Sequence, residues 1–484
     1  MTFKEITFGK SAAEKEPPHL LIDGFLDSYG YIDKMMDEPN FLVLGPKGSG
    51  KSAIGVRLKL ISNTRDDFFV EKFNFEDLPF KPFSKIIPSK EPREIKFQND
   101  WEYVLLVALL NNILKDDESL NKNPNINEII DFLKNVGLLP SKNLTQIVKT
   151  STSKSLGLKA HFLSGGLTSD TEKVPFDIST LFETLKDVCY SMNITSKHFI
   201  IIDGLDDVLT IDQQERQYTL LGTLILVADR MNTKFENNAI PVKIIILCRT
   251  ELYDKLPGSN NNKIKQDSAI MLNWYHGDDA KSSNLINLIN LRASNSLKRK
   301  VELFEEFFPP TLTIYNKNTL KHLLHYTRHT PRDIIELMNY IQQYTQNDNP
   351  TEDDIWNGIK EYSTSYFLGE IRDELNGFLT TTQIDQTIRL LGSMRMAKFQ
   401  KSDLDKKILS NKGFLLLDLD IILDLLFDCS AIGNMDEDDF FCYKYRNISN
   451  YIMDDQDIII HKGLWKALNL KSYHFQNETH SKKR

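Results

Sequence analysis

The stretch Gly45-Pro46-Lys47-Gly48-Ser49-Gly50-Lys51-Ser52 follows the apolar run Phe41-Leu42-Val43-Leu44 and precedes Ala53-Ile54-Gly55-Val56-Arg57-Leu58. It fits G-x-x-x-x-G-K-[ST] at every fixed position and reads as a strand, a phosphate-binding loop and a helix. Glycines let consecutive backbone N–H groups turn inward around phosphates, the lysine reaches the β/γ oxygens, and the hydroxyl is a Mg²⁺ ligand. Gly48 and Gly50 supply the turn, Lys51 the charge and Ser52 the metal ligand, while Gly45, Pro46, Lys47 and Ser49 complete the cradle. The helix that follows directs its N-terminal dipole at the phosphates. The bland alternative is a Gly-rich turn without a ligand.

The chain has 484 residues, 41% hydrophobic and 26% charged, with a net charge of -8. Such a length predicts more than one domain. No run approaches the apolar length of a membrane helix, and the N-terminus lacks the apolar core of a secretory signal, so the expected location is cytoplasmic. Cys189, Cys248, Cys429 and Cys442 form no C-x-x-C pair and read as reduced packing residues. The acidic balance argues against broad attraction to nucleic acid or anionic lipid.

Downstream of a helical pattern over 19–38 and the loop, Phe68 to Phe75 reads as a strand. Trp101 to Leu114 reads as a core helix starting after the cap-like Asn99-Asp100. Residues 115–176 read as an insertion, with a helical piece at Ile126 to Val136 and an alternating piece at Leu156 to Leu163 suited to a hairpin. Either a partner-binding role or a tolerated surface excursion fits it. A helix at Ile178 to Tyr190 leads to His198-Phe199-Ile200-Ile201-Ile202-Asp203-Gly204-Leu205-Asp206-Asp207. A continuous apolar run ending in acids is a buried parallel strand whose carboxyl end meets ligand, so Asp203 is the expected Mg²⁺ carboxylate. Asp206 or Asp207 is the candidate for orienting water, and capping or solvation serves Asp207 equally well.

After a helix at Arg216 to Asp229, Val242 to Cys248 is a second buried strand, and Arg249 at its tip is a candidate for reading a terminal phosphate. The segment 256–267 reads as a polar loop and Ala269 to Trp274 as a last short strand. Strands alternating with helices predict a parallel sheet covered on both faces.

Residues 281–362 are helical. Thr330-Pro331-Arg332-Asp333 is a helix start with Thr330 as N-cap. A cation in the first turn opposes the helix dipole, so Arg332 calls for a compensating anion: a nucleotide phosphate, Asp333 or Glu336. From about residue 363 the pattern is three helices (Ile384 to Met394, Lys401 to Leu409, Leu415 to Phe427), then a strand at Phe440 to Tyr445 and a strand plus helix over Ile458 to Leu468, the order of a winged helix. Residues 363–484 hold 16 Lys+Arg against 18 Asp+Glu, and the third helix carries Asp418, Asp420 and Asp424. That sign is wrong for a major-groove reader.

Taken in order, GPKGSGKS, FIIIDGLDDV, IIILCRT and TPRD resemble the AAA+/STAND class of P-loop ATPases, closest to a bacterial family often linked with phage defence. The resemblance covers residues 1–362. It implies ATP and Mg²⁺ as ligands, with Lys51 and Ser52 in the Walker A role, Asp203 in the Walker B role, and Arg249 and Arg332 as sensors. Many relatives have D-G-L-D-E where this chain has Asp203-Gly204-Leu205-Asp206-Asp207, which implies slow turnover. The expected layout is an α/β P-loop core over 1–280 with its insertion, a helical lid over 281–362 and a winged-helix-like domain over 363–484. The expected role is an ATP/ADP-gated switch forming homo-oligomers, with an effector encoded nearby. The runner-up is a DNA-handling ATPase of the origin-recognition or loader type, in which the winged helix and the 253–270 loop touch DNA; a third reading is a non-catalytic ATP-binding scaffold. Arg230 is a weak candidate for an arginine finger, and His461 for a diphosphate contact.

Overall fold

A computed structural model describes residues 2–75, 80–83, 85–88, 92–153, 178–205, 213–258, 260–277, 279–312, 317–414, 417–436 and 441–471. Asp206, Asp207 and the expected hairpin at Leu156 to Leu163 lie outside them. The chain forms two compact units: Tyr29–Gly45 with Lys51–Met271, and Met1–Ser28 with Pro46–Gly50 and Leu272–Arg484.

The first unit is built on a parallel sheet of β1 (Leu42–Gly45), β2 (Phe68–Asn74), β3 (Lys197–Asp203), β4 (Val242–Arg249) and β5 (Ala269–Met271), in the order β2-β3-β4-β1-β5. Phe199 to Ile202 and Ile244 to Cys248 are all buried, as the unbroken apolar runs of the two inner strands require. At the edge, β2 alternates buried and half-buried positions. Helix α1 (Lys51–Ser62) lies close over the sheet. A Cβ on its Gly55 would stand 3.2 Å from Leu247 Cδ1, 3.4 Å from Lys72 Cε and 3.5 Å from Ile201 Cγ2, so only glycine permits this approach without a shift.

Helix α2 (Arg93–Ile113) begins well before the expected Asn99-Asp100 cap. Asp100 does not cap it. Its buried carboxylate accepts from the Ile87 N–H at 3.0 Å, holding the preceding segment against the helix instead. Asn112 near the other end donates to the Phe69 and Phe199 carbonyls at 3.1 and 3.4 Å, and Trp101 Nε1 donates to the Leu220 carbonyl of α3 (Gln214–Asn237) at 3.0 Å. Within the expected insertion, helices Asp117–Lys122, Pro124–Asn135 and Leu144–Ser151 bury Ile126, Ile130, Leu133, Ile147 and Val148. Asn111 of α2 fixes Ser141 by exchanging both amide bonds with it at 3.1 and 2.8 Å. Residues 115–153 are therefore part of the core packing. The expected polar loop at 256–267 contains a helix, Asn261–Ser268, anchored by buried Ile264 and by Tyr253, whose O–H reaches the Asn261 carbonyl at 2.7 Å.

In the second unit the N-terminal residues, which the expected layout placed in the core over 1–280, share one hydrophobic core with the helices expected as a lid over 281–362 and the elements expected as a separate domain over 363–484. Phe3, Ile6 and Phe8 belong to the same buried cluster as Leu285, Ile334, Ile359, Leu391, Leu423 and Leu464. Its helices include α4 (Asn284–Leu297), α5 (Pro331–Tyr344), α6 (Glu352–Glu361) and α7 (Leu368–Leu375). A π-helical segment, Tyr362–Phe367, joins α6 to α7. Buried Arg292 of α4 pairs with Glu16 at 2.6 Å, which ties the N-terminal stretch down. A two-residue pair, β6 (Thr311–Leu312) with β7 (Lys317–Asn318), interrupts the helical run.

The C-terminal elements are α8 (Thr381–Ser393), β8 (Lys398–Phe399), α9 (Lys401–Ser410), α10 (Leu419–Asp428), β9 (Ile432–Met435), β10 (Phe441–Cys442) and β11 (Asp457–Ile460). The strands form an antiparallel sheet in the order β10-β9-β11-β8. Strand β9 was not expected, since Gly433 and Asn434 are poor strand formers; buried Asn434 is satisfied by exchanging bonds with the Met453 backbone at 2.9 and 2.8 Å. On α10, Ile422, Leu423, Leu426 and Phe427 face the core, whereas Asp420, Ile421 and Asp424 are exposed. Among the described residues, no helix is long and apolar enough to cross a membrane.

Candidate phosphate-binding site

The loop between β1 and α1 has the backbone its glycines call for. Gly48 and Gly50 have φ of 81° and 97°, a region costly for any residue with a Cβ. Lys51 opens α1 and donates to the Gly45 carbonyl at 2.8 Å, so its ammonium is folded back onto the first residue of the loop. Ser52 follows in the first turn of α1.

Three strand ends bring chemistry to the carboxyl edge of the sheet. Gly45 pairs in register with Arg249, so Arg249 stands at the tip of the strand next to the one that leads into the loop. Ile202 pairs with Ile246, which leaves Asp203 level with Leu247 and Arg249 two residues, roughly 7 Å, farther along. Alternation puts Asp203 and Arg249 on the α1 face, with Ile201 and Leu247. Buried Asp203 accepts from the Gly204 N–H through Oδ1 at 2.9 Å. Its Oδ2 is 3.0 Å from Lys72 Nζ, and Lys72 also donates to Asn74 Oδ1 at 3.2 Å. Sequence reasoning missed Lys72, for which the one signal was a lysine in register with the buried Phe68 and Val70 of β2.

The middle of the loop belongs to the second unit. The Arg332 N–H donates to the Gly48 carbonyl at 3.3 Å, and Trp274 Nε1 donates to the Ser49 carbonyl at 2.9 Å. A Cβ on Gly48 would press to 3.1 Å from both Thr330 Oγ1 and Arg332 Cβ, so this glycine also serves close packing. The Ser49 hydroxyl is buried with no hydrogen-bond partner. Thr330 caps α5 as expected, accepting from the Asp333 N–H at 3.2 Å. Neither Asp333 nor Glu336 hydrogen-bonds with Arg332, although its charge acts on the Glu336 carboxyl; Arg332 Nε donates to the Ser11 carbonyl at 3.0 Å and Nη1 to Glu370 at 3.3 Å. Asp333 is taken by Arg328, at 3.0 Å to each oxygen, and by the Tyr366 O–H at 2.9 Å. Lys47 also points to α7, 3.4 Å from Glu370 and 3.6 Å from Asp373.

Two weaker candidates are committed elsewhere. Arg230 lies inside α3 and binds Gln98 and Glu102 at 3.1 and 3.3 Å. His461 is buried, stacked on Phe367 at 4.9 Å, and accepts from the Gly463 N–H at 3.1 Å; burial drives its pKa down to about 3, so the ring is neutral.

Hard oxygen donors suit Mg²⁺, which is usually held by one or two protein oxygens together with phosphates and water. The Ser52 hydroxyl and the Asp203 carboxylate are such donors. The pairing of Asp203 with a lysine shows that this carboxylate already accommodates a cation.

Residues 283–368 match the family described as the FunZ-associated C-terminal helical domain. The matched span runs from the N-cap of α4 to the first residue of α7. No curated protein matches the chain. Among solved structures, the chain is similar to Cdc6p from Pyrobaculum aerophilum, with a TM-score of 0.35 and 10% identity over 99% of this chain and 98% of that one. At that score the likeness fixes neither fold nor activity, and the fold rests on the strand order and the loop.

Proposed function

We propose that the chain binds ATP with Mg²⁺ at Gly45 to Ser52, hydrolyses it slowly, and works as a nucleotide-gated switch of the AAA+/STAND kind. The observation that carries the reading is the loop itself. Its glycines adopt positive φ between β1 and α1, beside a sheet whose neighbouring strands end in Arg249 and Asp203. Backbone N–H groups from Lys47 to Ser52 hold the phosphates, and Lys51 exchanges the Gly45 carbonyl for phosphate oxygen. Bound Mg²⁺ neutralises phosphate charge that would otherwise repel an incoming water. Ser52 and Asp203 hold the ion, and Arg249 and Arg332 read the terminal phosphate by forked, charge-assisted bonds. Asp207 is the proposed water-orienting acid. The acidic outer face of α10 favours a switch over the DNA-handling alternative.

Phosphate release under Mg²⁺ by the parent chain and by Asp203→Asn tests the hydrolytic part. Turnover in the parent and its loss in the variant are expected; equal rates remove Asp203 from the site. Light scattering with and without ATP tests assembly, and a mass independent of nucleotide rejects an oligomerising switch.

A further inference from the structure

Three cations converge on one carboxylate beside the loop. Glu370 Oε2 is 3.4 Å from Lys47 Nζ, 3.3 Å from Arg332 Nη1 and 3.9 Å from Arg328 Nη2. The Glu370 and Lys47 side chains are each only 14% exposed, so solvent screens their attraction little. Arg328 does not need Glu370, because Asp333 binds its guanidinium through both oxygens and Glu374 takes Nη1. The charge of Glu370 is therefore directed at Lys47, within the loop, and at Arg332, whose own N–H holds Gly48.

We infer that Glu370 is an internal competitor for the terminal phosphate of ATP: its carboxylate pairs with Lys47 and Arg332 and releases them when the triphosphate binds. The inference rests on the proposed reading of the loop as an ATP site. A terminal phosphate, with a charge of about -2 and three acceptor oxygens, outbids a single carboxylate for the two cations. A diphosphate that does not engage these cations leaves Glu370 in place. Its binding carries no displacement cost, so Glu370 lowers the affinity for ATP and not for ADP. A ligand shifts an equilibrium only by its differential affinity for the two states, and here the difference is whether α7 keeps its hold on Lys47 and Arg332. Glu370 lies one turn after the π-helical segment Tyr362–Phe367, an element that is rare and recurs at functional positions. The exchange thus acts on the helix that begins where that irregularity ends.

The test is calorimetric titration of ATP and ADP, with Mg²⁺, into the parent chain, Glu370→Gln and Asp373→Asn, with thermal melts to establish that each is folded. Asp373 also faces Lys47, at 3.6 Å, but its side chain is 70% exposed and its pairing is screened. ATP is expected to bind Glu370→Gln about 10-fold more tightly than the parent, with ADP affinity within about 2-fold. Asp373→Asn should differ from the parent by less than about 2-fold for both nucleotides. Unchanged or weaker ATP binding by a folded Glu370→Gln overturns the inference, because the carboxylate would then only position the two cations. Equal tightening for ATP and ADP also overturns it. If neither the parent nor Glu370→Gln binds nucleotide, the reading of the loop fails and the inference falls with it; ATP binding by the parent keeps the two failures distinct.

Discussion

Lys72 Nζ stands 3.0 Å from Asp203 Oδ2 in a largely buried pair, their side chains 11% and 10% exposed. Lys72 reaches the acid beneath Gly55 of α1, the position that lets helix and sheet approach. Removing one partner of such a pair leaves an uncompensated charge, at a cost of about 3 kcal/mol. Lys72→Met should therefore melt lower than the parent in EDTA, and Mg²⁺ with nucleotide should stabilise the variant more than the parent. Thermal melts in the two conditions check this. Equal gains from Mg²⁺ nucleotide in both chains would separate Lys72 from the metal-binding role proposed for Asp203.

Arg249 ends the strand beside the loop and Arg332 holds Gly48 through its N–H. If both guanidinium groups read the terminal phosphate, each contributes roughly 1.5 to 3 kcal/mol to ATP and little to ADP. Arg249→Ala and Arg332→Ala should each reduce the ATP-over-ADP preference by about one to two decades. Paired affinities measure it, and equal losses for the two nucleotides would deny both residues a sensing role.

Burial raises the Asp100 carboxyl to about 7, against an ordinary value of 3.8, in spite of the bond from Ile87. Between those two values the unfolded chain has released a proton that the folded chain keeps. The contribution of Asp100 to stability is therefore greatest below about pH 4, declines as pH rises towards 7 and is level above it. Asp100→Asn, which keeps an oxygen for the Ile87 N–H, should flatten that part of the profile and stabilise the chain at pH 8 by about 1 kcal/mol or more. Denaturant titrations from pH 4 to 8 check the slope; parallel profiles for parent and variant contradict it.

The outward face of α10 is acidic, and its Asp420 is paired with Lys401 at 2.6 Å. Duplex DNA should bind weakly and with a shallow dependence on salt, since few phosphates are neutralised and few counterions released. A steep slope in a salt titration would instead support the DNA-handling reading.

The sheet was legible because its inner strands are unbroken apolar runs and its loop has a spacing that phosphate chemistry dictates. What the sequence concealed depends on partners distant along the chain. Asp100 has the chemistry of a helix cap but serves Ile87, and α2 has already begun at Arg93. The helix Asn261–Ser268 is polar enough to read as loop and is anchored through Ile264 and Tyr253. Arg332 was legible as a cation in need of an anion, but Glu370, 38 residues away, could not be picked out from any other helical acid. The same holds for the tie between Trp274 and Ser49.

The central claim is that Lys51 and its loop hold ATP, and calorimetric titration of Mg²⁺ with ATP into the parent chain and a folded Lys51→Ala tests it most directly. The account predicts saturable binding by the parent and a loss of about 10- to 150-fold or more in the variant, because Lys51 leaves the Gly45 carbonyl to make a charge-assisted bond to phosphate. Equal ATP affinity in the two folded chains would contradict it.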